Sequence, residues 1–162
     1  MSVLIYGRRG CYPSPHRFEL GAFAGEETRF SKCALIAATR EHVQDADTMK
    51  HYNTRLAVSF CGRRTAVFRY CPQLSKTFAW PVNHPDPDAI YHSVMVPIID
   101  AIVKEFLQGH DATVHCNSFC HRGPVGLASV ARIFTGVEVE DIMKVIGETF
   151  SGENARLNRF HL

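Results

Sequence analysis

The chain has 162 residues, of which 46% are hydrophobic and 21% are charged, and its formal net charge at pH 7 is +2. This length predicts a single domain over residues 1–162, large enough to bury a core of its own. The mild charge permits an anionic ligand but gives no reason to expect nucleic-acid binding. No apolar stretch approaches the roughly 20 residues that cross a membrane, which excludes a membrane span.

The N-terminus and the cysteines indicate the compartment. The first residues, MSVLIYGRRG, place no basic segment ahead of a long apolar block. We therefore expect no signal peptide and a cytoplasmic location, with the nucleus as the alternative. In that setting the 6 cysteines predict reduced thiols rather than a disulfide framework, which a chain of this size does not need.

Short apolar runs at 3–6, 33–38 and 55–60 predict strands in the first half of the chain. Gly62-Arg63-Arg64 separates the third run from the alternating segment 65–70, and together they predict a β-hairpin with a basic turn. The two arginines of that turn could also recruit an acidic or phosphorylated substrate. A further strand is predicted over 77–82, followed by the turn-rich stretch NHPDPD.

The second half has helical spacing. Apolar residues recur from 90 to 107 as on one helix face, and Pro97 either kinks this helix or opens it before Gly109 stops it. A short strand over 112–115 follows. Pro124 is then predicted at the first position of a second helix, and a third helix is predicted over 139–146. This order predicts an α/β fold, with helices flanking a central mixed, partly parallel sheet.

Reactive side chains are concentrated in HCNSFCHR, the connection between the 112–115 strand and the next helix. Such connections lie at the carboxyl ends of strands, where α/β folds place their sites. The free N–H groups and the dipole of the helix that follows would bind an anion and lower the pKa of Cys116. Arg122, with five residues between it and Cys116, could contact two oxygens of a phosphoryl group.

HCNSFCHR resembles the His-Cys-x5-Arg signature of the cysteine-dependent protein tyrosine phosphatases. Over roughly residues 77–147 the chain is similar to the dual-specificity branch, with an acidic turn, a helix, the strand that enters Cys116, and a helix after Arg122. The resemblance implies a tyrosine phosphatase-like fold. It also implies hydrolysis of phosphotyrosine, phosphoserine and phosphothreonine monoesters through a thiophosphate on Cys116, with no metal or cofactor.

The resemblance also implies roles for particular residues. His115 would be a structural partner that steadies the phosphate-binding loop. The residues implied to bind phosphate are Asn117, Ser118, Phe119, Cys120, His121 and Arg122. The substrate implied is a phosphorylated protein, and a phosphoinositide or an RNA 5′-phosphate remains open, as does the oligomeric state.

The general acid in this family is an Asp roughly thirty residues before the nucleophile. Asp86 and Asp88 lie 30 and 28 residues before Cys116. We choose Asp86, because Asp88 is the predicted N-cap of the helix that follows. A different alignment places Asn83 at the acid position, and the chain would then lack a general acid.

Two positions depart from the family pattern. Phe119 stands where the family usually has Gly, and Gly123 stands where many members have Ser or Thr. These departures leave a catalytically lapsed phosphate-binding module as one alternative. The run Arg122-Gly123-Pro124 is similar to rhodanese-related phosphatases and arsenate reductases, which is the other.

The remaining cysteine and histidine of the motif have further interpretations. Cys120 could form a disulfide with an oxidised Cys116 and protect it, or serve as a thiol relay. His115, Cys116, Cys120 and His121 could also be taken as a zinc set, but their spacing fits the known ligand patterns poorly, so we expect no metal.

Overall fold

A computed structural model describes residues 15–59, 76–79, 87–116 and 122–151. The first half contains the strand β1 (His16–Glu19), a 3-10 turn (Leu20–Phe23), β2 (Ala34–Thr39), the short helices α1 (Arg40–Val43) and α2 (Ala46–His51), and β3 (Thr54–Ser59). The second half contains β4 (Lys76–Ala79), α3 (Pro87–Leu107), β5 (Asp111–Cys116), α4 (Arg122–Thr135) and α5 (Val139–Ser151).

The described strands form one sheet in the order β1-β2-β5-β3-β4. β1 is antiparallel to β2, whereas β2, β5, β3 and β4 run parallel to their neighbours. β5 therefore lies at the centre, between two strands that precede it in the sequence. The predicted mixed, partly parallel sheet with flanking helices is confirmed.

The sheet is covered on both faces. The main hydrophobic cluster joins alternate strand residues, such as Leu35, Leu56 and Val114, to the 3-10 turn and to α3, α4 and α5. On the other face, Ala38 and Ala57 form a smaller cluster with Val43 of α1 and Met49 of α2. Because the central strands are buried on both faces, their sequences are nearly continuous apolar runs, as parallel strands require.

The strands predicted at 33–38, 55–60, 77–82 and 112–115 are confirmed as β2, β3, β4 and β5, and the three predicted helices as α3, α4 and α5. α3 begins at Pro87 and runs through Pro97, so Pro97 lies inside the helix rather than opening it. Gly109 follows with a φ of 84°, a left-handed conformation that glycine adopts without strain. No helix in the described parts of the chain is long and apolar enough to cross a membrane.

The predicted β-hairpin is wrong as far as β3 is concerned. From Leu56 to Ser59, one edge of β3 pairs with β4, while its other edge pairs with β5. Both edges are thus occupied by parallel strands, which leaves none for an antiparallel hairpin partner. The basic turn and the 65–70 segment lie outside the described residues, as does the strand predicted at 3–6.

An ion pair fastens α3 to the sheet. Nε of Arg55 in β3 donates to Oε1 of Glu105, and Nη2 donates to Oε2, both at 3.2 Å. The same Nη2 donates to Oε1 of Gln108 at 2.6 Å. Such a two-point contact between a guanidinium and a mostly buried carboxylate fixes the helix against β3 in one orientation.

Candidate active site

The carboxyl ends of the four parallel strands meet at one edge of the sheet, which we call the carboxyl edge. It is formed by the last residues of β2, β5, β3 and β4, which are Thr39, Cys116, Ser59 and Ala79. In open α/β sheets, ligands bind outside this edge, where neighbouring strands are connected in opposite directions. Cys116 ends the central strand, and is therefore placed where such a fold puts its site.

Arg122 begins α4, a helix of 14 residues, so Pro124 is its third residue and the prediction that Pro124 opens the helix is wrong by two positions. Only five residues separate Cys116 from Arg122, so the N-terminus of α4 lies at the carboxyl edge. The backbone N–H groups of a helix N-terminus point out of the helix, and together with the positive end of its dipole they favour an anion there. The five intervening residues, 117–121, lie outside the described part of the chain, so their predicted phosphate contacts stay predictions.

α4 is held against the sheet by small and apolar residues. Gly123, Pro124 and Gly126 are buried in its first turns. Further along, Leu127 and Ala131 are fully buried in the main cluster, where α4 packs on β2 and β5. Small side chains in the first turns let the helix approach the sheet closely.

His115 is completely buried. It pairs in register with Ala38 of β2 and with Ser59 of β3. Oγ1 of Thr113, two residues earlier on the same strand, lies 3.7 Å from the sulfur of Met49 in α2. Because alternate residues of a strand share a face, His115 lies on the face covered by α1 and α2. This burial suits a residue that steadies the loop from below, and that role stays a prediction.

A polar contact at the end of β2 was not predicted. Thr39 and His42 form a reciprocal capping box at the start of α1. The backbone N–H of Thr39 donates to Nδ1 of His42 at 3.1 Å, and the backbone N–H of His42 donates to Oγ1 of Thr39 at 3.3 Å. The usual signature has Glu or Gln at the third helical position, so a search for that pattern would miss a His there.

The predicted acid lies on the connection from β4 to α3. β4 ends at Ala79 on the carboxyl edge and α3 begins at Pro87, so residues 80–86 leave from the edge that carries Cys116. Asp86 and the alternative Asn83 belong to this segment, which is outside the described residues. Asp88 is the second residue of α3. The prediction that Asp88 is the N-cap is therefore wrong, because it lies within the first turn.

Two further predictions concern metal and thiol chemistry. Among residues 15–59, 76–79, 87–116 and 122–151, no three His, Cys, Asp or Glu side chains are grouped so that they could hold a metal ion. Cys120 and His121, which belong to the rejected zinc set, lie outside these ranges. Because Cys120 is not described, its pairing with Cys116 stays a prediction.

Comparison with known proteins supports the fold. No family model matches the chain, and no curated protein matches it either. Two crystal structures are similar to it, that of human DUSP28 and that of a single-substitution variant of the same protein, each at 13% identity with a TM-score of 0.57. Each alignment covers 70% of this chain, and 74% and 75% of the two neighbours respectively. The chain therefore has the α/β fold of a dual-specificity phosphatase.

Proposed function

We propose that the chain is a cysteine-dependent phosphatase that hydrolyses phosphotyrosine, phosphoserine and phosphothreonine monoesters. One observation carries the proposal. Cys116 ends the central parallel strand at the carboxyl edge, and Arg122 begins the helix that follows after five residues, in a fold shared with human DUSP28. A thiol and a guanidinium in that relation fit nucleophilic attack on a bound phosphoryl group.

The chemistry follows from these positions. The Cys116 thiolate attacks phosphorus, an S–P bond forms, and the bond from phosphorus to the ester oxygen breaks. Asp86 gives its proton to the departing oxygen. Arg122 and the backbone N–H groups that precede it hold the equatorial oxygens, where charge is concentrated in the transition state. Water then attacks the thiophosphate, releases inorganic phosphate and restores the thiolate.

The proposed partner is a phosphorylated protein, which follows from the resemblance to the dual-specificity branch. A phosphoinositide or an RNA 5′-phosphate would present the same phosphoryl oxygens to the loop. The proposed location is cytoplasmic or nuclear. A panel of a phosphotyrosine peptide, a phosphothreonine peptide, a phosphoinositide and a 5′-phosphorylated RNA ranks these substrates by kcat/KM.

Release of phosphate from p-nitrophenyl phosphate tests the proposal. We expect wild type to turn over and Cys116→Ser to lose at least about a thousandfold, because the hydroxyl is a far weaker nucleophile than a thiolate. Cys33→Ser is the matched control, since Cys33 is a thiol at the opposite edge of the sheet. It should leave the rate unchanged.

The other outcomes assign the chain to other classes. If wild type binds a phosphopeptide without releasing phosphate, the chain is a catalytically lapsed binding module and the phosphatase proposal fails. Glutathione-dependent reduction of arsenate, lost in Cys120→Ser, identifies the arsenate reductase class. Equal turnover of wild type and Cys116→Ser shows that the activity does not pass through this thiol.

A further inference from the structure

The end of β2 is held by a hydrogen bond to the imidazole of His42, which must be neutral to accept it. The N–H of Thr39 donates to Nδ1 of His42, so Nδ1 carries a lone pair and no proton. If His42 gained a proton there, two N–H donors would face each other across 3.1 Å. The capping box would then lose the half that ties the Thr39 backbone to the first turn of α1.

This contact lies directly beside the proposed nucleophile. Thr39 and Cys116 are paired Cα partners, at the last position of the β2 and β5 ladder. His115, the preceding residue of β5, is paired with Ala38. Whatever fixes the backbone of Thr39 therefore also fixes one side of the strand end from which Cys116 leaves the sheet.

We propose that His42 is a positioning residue for Cys116, and that its neutral imidazole holds the end of β2 in place until acid protonates it and releases the capping box. The statement about catalysis rests on the proposed phosphatase function. The statement about the strand end does not depend on it.

The groups around His42 set the pH at which it gains a proton and the capping box opens. Burial lowers the pKa of His42 below its ordinary 6.5, while the charges of Glu41 and Asp45 act in the opposite direction. α1 packs against β2, β5 and α2. β2 carries no titratable side chain, and β5 brings His115 and Cys116 to this edge. The charged or titratable residues of α2 are Asp47, Lys50 and His51.

The sign of the effect follows from the lowered pKa. The unfolded chain binds a proton on His42 at a higher pH than the folded chain does. His42 therefore costs no stability above pH 6.5, and the folded state is progressively destabilised as the pH falls from there to the pKa of the folded state. Release of the capping box in acid thus favours looser structure at the end of β2.

Two substitutions distinguish the role of His42 as a hydrogen-bond acceptor from its role as a titrating group. His42→Gln keeps an oxygen that can accept from the Thr39 N–H, as Gln does in ordinary capping boxes, but it does not titrate. His42→Ala removes the acceptor at every pH. His51→Gln is the matched control, because His51 is exposed in the last turn of α2.

Urea unfolding tests the capping box. At pH 8 we expect wild type, His42→Gln and His51→Gln to share one midpoint, with His42→Ala lower. At pH 5 the wild-type midpoint should fall towards that of His42→Ala. The midpoint of His42→Gln should stay above that of His42→Ala by as much as at pH 8. Parallel pH dependence of wild type and His42→Gln would overturn the proposal, because His42 would then not govern the contact.

The positioning of Cys116 is tested by its rate of alkylation with iodoacetamide, followed by mass spectrometry, and by turnover of p-nitrophenyl phosphate. Both rates should match in wild type and His42→Gln at pH 8, and at pH 5 His42→Gln should be several-fold faster. If unfolding separates the variants but alkylation does not, His42 only stabilises the fold and the proposal fails. If no variant turns over while alkylation separates them, the phosphatase proposal fails and the positioning of Cys116 stands.

Discussion

The two ends of β5 differ in their contacts and in their proposed roles. The strand begins at Asp111, whose Oδ1 accepts from the backbone N–H of Ala34 and whose Oδ2 accepts from Nε of Arg17, both at 3.0 Å. The strand ends at Cys116, where the chain leaves the sheet for the N-terminus of α4. One strand thus carries a polar cluster that fastens the sheet at its start, and the proposed nucleophile at its end.

The polar residues at the start of β5 bind one another. The backbone N–H of Asp111 donates to the carbonyl of Asn53 at 3.1 Å, and the Asn53 side chain donates to the carbonyl of Gly109 at 2.8 Å. Groups that satisfy each other in this way add stability and have little capacity left for a ligand. A cluster of charged and polar residues is therefore a poor guide to function unless a feature that attracts a ligand, such as a helix N-terminus, lies beside it.

After Cys116→Ser, the largest effect should come from Arg122→Lys. Lys is a point charge and cannot make the planar two-oxygen contact of a guanidinium, so we expect turnover to fall about 10²–10³-fold, close to the loss in Arg122→Ala. Steady-state hydrolysis of p-nitrophenyl phosphate measures it. Near-normal turnover of the Lys variant would show that Arg122 does not clamp the phosphoryl group.

Arg132→Lys is the control for that substitution. Arg132 lies in the last turn of the same helix and pairs at 3.1 Å with Glu138, and both side chains are largely exposed. An exposed pair of this kind contributes little to stability. We expect Arg132→Lys to leave turnover and the unfolding midpoint unchanged, so that a loss in Arg122→Lys reports the site rather than the helix.

The next effect concerns the general acid. Asp86→Asn should slow phenyl phosphate about 10²-fold, because its poor leaving group needs a proton, and should slow p-nitrophenyl phosphate much less. The basic limb of the pH–rate profile should flatten in the same variant, since that limb reports loss of the acid's proton. If wild type hydrolyses only activated esters and Asp86→Asn changes nothing, the Asn83 alignment is right.

Asp88→Asn is the comparison within the same acidic turn. Since Asp88 lies inside the first turn of α3, its negative charge is attracted to the positive end of the helix dipole. We expect a loss of a few tenths of a kcal/mol in the free energy of unfolding, by urea titration, and an unchanged pH–rate profile. A flattened profile in Asp88→Asn alone would mean that Asp88 is the acid.

Much of the fold could be predicted from sequence because its central elements are long or apolar. β2 and β5 are buried on both faces and α3 spans 21 residues, so their patterns are strong. β1 was missed because only Phe18 of its four residues is buried. α1 and α2 have four and six residues and one buried residue each, too few to show a helical period.

The site was predictable where it depends on chain order, and less so where it depends on pairing in space. The motif predicted a strand that enters Cys116 and a helix after it, and the structure has both, although the helix begins at Arg122 rather than at the predicted Pro124. The contact between Thr39 and His42 lies beside Cys116 only because β2 pairs with β5 across 77 positions of the chain. The hairpin prediction failed for the same reason, since the partners of β3 are distant in sequence or separated from it by a long connection.

A smaller effect is expected for the two thiols that lie towards opposite edges of the sheet. Burial and the charge of Asp111 raise the pKa of Cys33 above its ordinary 9.0, whereas the helix N-terminus should lower that of Cys116. At pH 7 we expect Cys116 to react with iodoacetate roughly five- to tenfold faster, because its larger thiolate fraction outweighs its lower intrinsic nucleophilicity.

Alkylation measured for each cysteine by mass spectrometry over a range of pH distinguishes the two. Cys116 should titrate well below 9.0 and Cys33 above it. Removing Cys33 as Cys33→Ser should leave the Cys116 curve in place. Coincident curves for the two thiols would contradict the view that the carboxyl edge attracts anions and the start of β5 does not.

The smallest effect on turnover is expected from Asp111→Ala, which disrupts the start of β5. It removes the acceptor for the Ala34 N–H and for Arg17, and its own side chain is only 14% exposed. We expect a loss of about 1–3 kcal/mol in the free energy of unfolding, reduced towards the lower figure because Arg17 is 40% exposed and screened by solvent. Turnover by the folded protein should stay at the wild-type value.

Glu19→Ala is the matched control, because Glu19 binds the same Arg17 at 2.9 Å but is 50% exposed. Its loss should be a few tenths of a kcal/mol, as for other exposed pairs. Urea titration and turnover at a temperature well below the melting transition give both quantities for each variant. If folded Asp111→Ala loses turnover as Arg122→Lys does, the two ends of β5 are coupled through the strand, and the division between a stabilising end and a reactive end is wrong.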